Sequence, residues 1–271
     1  MTAVGAAPGA PAHRPVHPPV GVSGASAADG AAPPGTRVRH VAVVVPAHDE
    51  EDLVARCLTS VLQARDLAVR RAGVTVDVLL VLDRCSDGTA RTAAGFDVRT
   101  LTIDAGAVGV TRRTGALDVL SRAPVPPAQS WIACTDADSA VPPAWLLTQV
   151  ALAARGADVV IGTVRPDPRD LSPAQLAAWR RTRVPGVANG HVHGANLGVR
   201  ADAYLAAGGF SPAPAHEDVD LVARIRRDPA RRVVASAALD VLTSGRQVGR
   251  APEGYARYLR EDLLPVRAEP A

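Results

Sequence analysis

Two carboxylates stand two residues apart at Asp136 and Asp138, directly after the apolar run Trp131-Ile132-Ala133-Cys134. If that run is a buried strand, both acids emerge at its C-terminal end, where open α/β sheets bind their ligands. Paired hard oxygen donors there suit a divalent cation that also holds a diphosphate. Spacing alone decides little, because Asp49/Glu51, Glu50/Asp52 and Asp218/Asp220 share it. The order of elements has to select the pair that does chemistry.

Those elements read as alternating strands and helices. Val41 to Val45 is a β-branched run closed by Pro46, the pattern of a buried strand. From Asp49 to about Arg65, Leu53, Val54, Cys57, Leu58, Val61 and Leu62 recur at helical spacing, with acids in the expected first turn. Further strands are expected at 76–82, 98–103, 131–134 and 159–161, and helices at 87–94, 110–120 and 143–154. Such alternation predicts an α/β fold, a mostly parallel central sheet with helices on both faces.

Past about residue 165 the alternation lapses. Ser172-Pro173 opens a helix with Ser172 as N-cap. A strand is expected over 194–199 and a helix over 201–206 that ends at Gly208-Gly209. A helix over 217–227, edge strands at 232–235 and 238–242, and a last helix over 252–263 complete the chain. Residues 1–36 are Ala, Pro and Gly with few large apolar groups, too little to offset ordering entropy, so a disordered tail is expected. Residues 37–165 then form a nucleotide-binding half, and 166–265 a smaller acceptor-binding half of the same domain.

Composition narrows the class. Apolar residues make up 47% of the chain and aromatic residues 3%, so Val, Leu, Ala and Ile must build the core. All 30 basic residues are arginine, which excludes a P-loop nucleotide hydrolase and its lysine. A net charge of +3 with no basic-aromatic patch gives no sign of nucleic-acid binding. Cys57, Cys85 and Cys134 form no Cys-x-x-Cys pair and read as reduced thiols of a cytoplasmic protein. No apolar run approaches the ~20 residues of a transmembrane segment. The first strand is not followed by Gly-x-Gly-x-x-Gly, which disfavours a dinucleotide-binding domain.

An ordered series remains: Pro46-Ala47-His48-Asp49-Glu50, Asp83-Arg84-Cys85-Ser86-Asp87-Gly88-Thr89, Gly109-x-x-Arg112-Arg113-x-Gly115, Asp136-Ala137-Asp138, Gly194-Ala195-Asn196, Gly208-Gly209-Phe210 and Glu217-Asp218. Over about residues 40 to 255 the chain resembles the family 2 glycosyltransferases, which have a GT-A fold. The resemblance implies inverting transfer of a sugar from a nucleotide-diphosphate sugar to a small-molecule or glycoconjugate acceptor, with Mg²⁺ or Mn²⁺. It implies nucleotide contacts at Pro46, Ala47 and Glu50, a base-contacting acid at Asp83, and an arginine at the diphosphate, Arg112. Asp136 would meet ribose and metal, and Asp138 the metal. Asn196 and the turn containing Gly209 would shape the acceptor side, with His216 orienting the acceptor.

Bond breakage charges the departing diphosphate, which a cation and arginines offset, while the acceptor hydroxyl needs a carboxylate base. Asp218 matches that base, with neighbouring Glu217 as the alternative. Arg246 and Arg250 lie in Ser244-Gly245-Arg246-Gln247-Val248-Gly249-Arg250, which is similar to the late Gln-x-x-Arg-Trp element of processive members. Ala251 replaces its tryptophan, which removes a stacking platform and argues against polymer synthesis; the two arginines would close over the diphosphate. His191 and His193 alternate, so an extended backbone puts both on one side, as exposed loop histidines. Two rivals are a catalytically degenerate sugar-nucleotide-binding partner protein and a nucleotidyltransferase. The second normally carries a Gly-rich signature with a lysine, which is absent.

Overall fold

The structure is a computed structural model that describes residues 37–213, 215–249 and 254–264. The expected tail at 1–36 lies outside the described residues. Seven strands form one sheet: β1 (His40–Ala47), β2 (Thr75–Asp83), β3 (Arg99–Ile103), β4 (Ser130–Cys134), β5 (Val159–Pro166), β6 (Leu197–Arg200) and β7 (Val233–Thr243). Their order is β3-β2-β1-β4-β6-β5-β7. All pairings are parallel except those of β6, which runs antiparallel to both β4 and β5. The helices are α1 (Val54–Ala72), α2 (Thr89–Ala93), α3 (Val108–Ser121), α4 (Trp145–Ala154), α5 (Pro173–Arg181), α6 (Ala201–Ala206), α7 (Glu217–Ile225) and α8 (Tyr255–Arg257), which a π-helical turn extends through Tyr258–Asp262.

Strand alternation divides the core in two. Val41, Val43 and Val45 of β1 pack with α1 and α4 on one face, while Ala42 and Val44 pack with α3 on the other. β2 splits likewise, Leu80 and Leu82 against Leu79 and Val81. A strand buried on both faces must read as a continuous apolar run, as β1 does. Cys57 and Cys134 are buried free thiols, and Cys85 is half-buried.

Three local expectations change. Helix α1 begins at Val54, not Asp49, and has no acid in its first turn. Asp49 instead adopts a left-handed backbone (φ 50°) and accepts the amides of Ser86 (2.7 Å) and Asp87 (3.2 Å). Glu51 accepts the amide of Gly88 at 2.7 Å. The acids satisfy backbone donors of the neighbouring loop, a closer partner than the helix dipole. The segment expected as a strand from residue 194 begins as a 3₁₀ turn, Gly194–Asn196, before β6. The two expected edge strands are one, β7, with a register fault: Gly162 pairs with Ser236, but Thr163 pairs with Asp240. The Ser172 cap stands as expected, in a full capping box with Gln175.

Helix α3 lies close on the sheet because Gly115 has no side chain. A Cβ there would sit 2.7 Å from methyls of both Val44 and Val81. Gly115→Val should therefore overpack this face by about 1–3 kcal/mol. The expected fall in Tm is roughly 2–4 °C per kcal/mol, measured by calorimetry.

Candidate active site

The C-terminal ends of β1, β2 and β4 open onto one cavity of about 400 Å³. Its wall includes Pro46 and Ala47 at the end of β1, Glu50 just after it, Asp83 at the end of β2, and Asp136 and Asp138 after β4. Arg112 enters from α3, His216, Glu217 and Asp218 from the start of α7, and Arg246 from the segment after β7. Eleven residues selected from sequence thus meet in one place. Arg250 lies outside the described residues.

Two selected residues do not reach the cavity wall. Asn196 is buried, its amide donating to the carbonyls of Thr163 (2.7 Å) and Leu239 (2.6 Å) and its oxygen accepting from the Trp145 indole at 2.9 Å. With those bonds it ties β5, β7 and α4 together and has no amide hydrogen left to donate. Gly209 is a left-handed turn residue (φ 73°) packed on Tyr204, and its carbonyl accepts from Arg224.

The charges form two groups. In the first, the buried Arg112 guanidinium is clamped between Glu217 and Asp136. Burial opposes its charge, but Asp136, Glu217 and Asp218 outweigh burial and keep it protonated. Gly194 makes room, since a Cβ there would lie 2.3 Å from the guanidinium carbon. The amide of the same Gly194 donates to Asp218 at 2.6 Å, and that of Val219 donates at 2.8 Å. Burial raises the pKa of Asp218, against the pull of Arg112 and these two amides. Glu217 is therefore the counterion of Arg112, and Asp218 is the acid presented on the wall.

In the second group, Arg246 holds Glu50 with both terminal nitrogens, at 2.8 and 3.1 Å, and Asp138 at 2.9 Å. Asp138 also accepts the hydroxyls of Ser139 (3.1 Å) and Thr243 (3.2 Å). Burial pushes its pKa up to about 6, with Arg246 pulling the other way. Asp83 accepts the amides of Ala105 (2.8 Å) and Gly106 (3.0 Å) and the hydroxyl of Thr111 (2.7 Å). Burial alone would raise its pKa, but those donors hold it below the usual carboxylate range. Asp83 thus orders the loop that leads into α3 while it lines the wall.

Backbone strain gathers at the same place. Asp49, Arg84 and His216 are the non-glycine residues with positive φ among the described residues, and they follow β1, follow β2 and precede α7. Such conformations persist where surrounding structure over-determines them. Residues that sequence reasoning did not select also line the cavity, among them His48, Thr111 and Tyr255. His48 binds the Asp83 carbonyl at 2.7 Å. Tyr255 had one sequence signal, its rarity in a chain with three tyrosines. His191 and His193 are half-buried rather than exposed, and their rings stack with centroids 6.3 Å apart.

The model of the family described as Glycosyl transferase family 2 matches residues 42–204. The chain belongs to that family. No curated protein sequence matches it. Among solved structures, residues 1–349 of S. aureus TarS align at 14% identity with a TM-score of 0.53, over 77% of this chain and 61% of that one. The mannosyltransferase PcManGT from Pyrobaculum calidifontis, in complex with GDP-Man and Mn²⁺, aligns at 19% identity and TM-score 0.53, over 81% and 61%. Glucosyl-3-phosphoglycerate synthase from Mycobacterium tuberculosis, in complex with phosphoglyceric acid, aligns at 18% and 0.50, over 83% and 78%. These likenesses establish the GT-A fold. This family 2 chain spans about three fifths of the length of the first two.

The two neighbouring acids at the start of α7 can be separated by measurement. Glu217→Gln leaves the buried guanidinium with Asp136 as its one direct carboxylate partner and should cost about 3 kcal/mol, a Tm loss of several degrees. Asp218→Asn removes no direct ion-pair partner of Arg112 and keeps an oxygen for the Gly194 and Val219 amides, and should change Tm little. Thermal unfolding of the two variants checks this, and equal losses would reject the assignment.

Proposed function

We propose that this protein transfers a sugar from a nucleotide-diphosphate sugar to a hydroxyl of a small acceptor, with inversion and with Mg²⁺ or Mn²⁺. The observation that carries the reading is one cavity of ligand size in which acids at strand ends meet arginines from α3 and from the segment after β7, with an acid of raised pKa on the facing helix. Family membership supports it, as does the GDP-Man and Mn²⁺ complex of the Pyrobaculum neighbour.

The donor set suits such an ion. Asp136 and Asp138 offer hard oxygens, and Asp138 together with Glu50 already clasps a cationic group, Arg246. Among the described residues no three His, Cys, Asp or Glu gather to hold a metal. A cation would therefore take two protein carboxylates and complete its shell with diphosphate oxygens and water, as Mg²⁺ prefers. When bound, it would offset charge on the leaving diphosphate.

The chain's own residues supply the rest. Arg112 stands at the diphosphate with its charge fixed by Asp136 and Glu217, and costs no reorganisation during reaction. Asp218 takes the acceptor's proton as the acceptor oxygen bonds to the anomeric carbon. The bond from that carbon to the diphosphate oxygen breaks, and its electron pair leaves with the nucleoside diphosphate. Glu217 holds Arg112 and takes no proton. No helix among the described residues is long and apolar enough to cross a membrane. The free thiols accord with action in the reducing cytoplasm.

Three outcomes test the reading. UDP or GDP with Mn²⁺ should raise Tm, and Asp138→Asn should abolish the Mn²⁺-dependent part of that rise. Asp218→Asn should keep the rise yet lose transfer by about 10²–10⁴-fold, the worth of a general base. In the wild type, kcat/KM should fall as pH falls through the pKa of Asp218, which lies above the ordinary aspartate value of 3.8. Nucleotide binding without turnover on any donor would make the protein a sugar-nucleotide sensor instead.

A further inference from the structure

The chain has three tryptophans, three tyrosines and two phenylalanines. Trp131, Trp145, Tyr204 and Phe210 are wholly buried, and Phe96 packs on the core. The other three, Trp179, Tyr255 and Tyr258, gather at one side of the cavity. Tyr255 stacks on Tyr258 (centroids 5.8 Å, planes 23° apart) and meets the His193 ring edge-on at 5.9 Å. Its hydroxyl accepts the Trp179 indole N–H at 3.1 Å. Those contacts fix the ring in place, and both Tyr255 and His193 line the cavity. His193 immediately precedes Gly194, whose amide holds Asp218. The His193 ring that meets Tyr255 therefore belongs to the residue next to the glycine that holds Asp218.

The charges around it favour a neutral ligand. The arginines lining the cavity among the described residues are Arg112 and Arg246, each ion-paired to carboxylates, and Arg183, over the Trp179 ring at 4.7 Å, is paired to Asp240. Asp218 lines the same cavity and would repel a carboxylate or phosphate on the acceptor. A flat ring gains from an aromatic face without needing a counter-charge.

We propose that Tyr255, braced by Tyr258 and Trp179 and flanked by His193, is the acceptor-stacking platform, and that the acceptor is a neutral alcohol borne on a ring. The assignment rests on the glycosyl-transfer reading and narrows its acceptor. It also supplies, from a different position, the ring contact missing at Ala251.

The test is ligand-observed saturation-transfer NMR on the full chain with UDP and Mn²⁺, or GDP and Mn²⁺, whichever raises Tm. The probes are p-nitrophenyl pyranosides, methyl pyranosides, glycerol and 3-phosphoglycerate. Expected are saturation transfer to ring protons of the pyranosides and little to glycerol or phosphoglycerate. Tyr255→Ala should weaken pyranoside binding roughly five- to tenfold, and Tyr255→Phe less than about twofold. In transfer assays the loss should appear in acceptor KM rather than kcat. An unchanged nucleotide-induced rise in Tm checks that each variant is folded, and Tyr255→Leu replaces the alanine variant if that one unfolds. Equal affinity of wild type and Tyr255→Ala for the pyranosides overturns the proposal. So does tighter binding of glycerol or phosphoglycerate, or no pyranoside binding at all. A protein whose Tm no nucleotide shifts would fail the glycosyl-transfer reading itself, a separate result. Methyl and p-nitrophenyl probes distinguish a sugar ring from an aryl group as the stacked partner.

Discussion

A single buried cation holds the cavity together. Arg112 rises from α3 and is gripped by an acid after β4 and an acid opening α7. Three elements far apart in sequence are thereby fixed at one point. A buried ion pair is weak evidence for stability as such, because desolvation offsets most of its attraction. What it secures here is position. Glu217, spent on Arg112, turns α7 so that the next residue, Asp218, stands on the wall with its oxygens fixed by two amides.

The second group of charges shows how the cavity keeps its acids in order. Glu50 and Asp138 would repel each other if left alone in a partly dry crevice. Arg246 lies between them and satisfies both, while Thr243 and Ser139 occupy the remaining side of Asp138. A diphosphate and its counter-ion would meet the same acids and the same arginine, with new pairings among them. The segment that carries Arg246 also carries Thr243, one of the two hydroxyls that steady Asp138, so the two adjust together.

Most of the architecture is readable from residue patterns because β1, β2 and β4 are buried on both faces and spell this out in unbroken apolar runs. The acid pair at Asp136 and Asp138 could be picked from four equivalent spacings only by its place after β4. The start of α1 was less readable. Asp49 to Asp52 look like first-turn acids until the loop after β2 is known, since that loop supplies the amides that claim Asp49 and Glu51. Asn196 looked like an acceptor residue because nothing local reveals that its amide spans three elements. Tyr255 escaped notice for the opposite reason. Its role depends on Trp179 and His193, more than sixty residues away in the chain.

The register fault in β7 has a bearing on how such a chain can diverge. Ala237, Ala238 and Leu239 fall between Ser236 and Asp240 where β5 advances by a single step, from Gly162 to Thr163. Beyond the fault the strand resumes its pairing and delivers Thr243 to Asp138. Side chains on a strand alternate with a period of two, so losing one of those surplus residues would turn Thr243 away from the acid and carry Arg246 with it. The fault works like a spacer in a lock. The count of residues inside it sets which teeth meet the key.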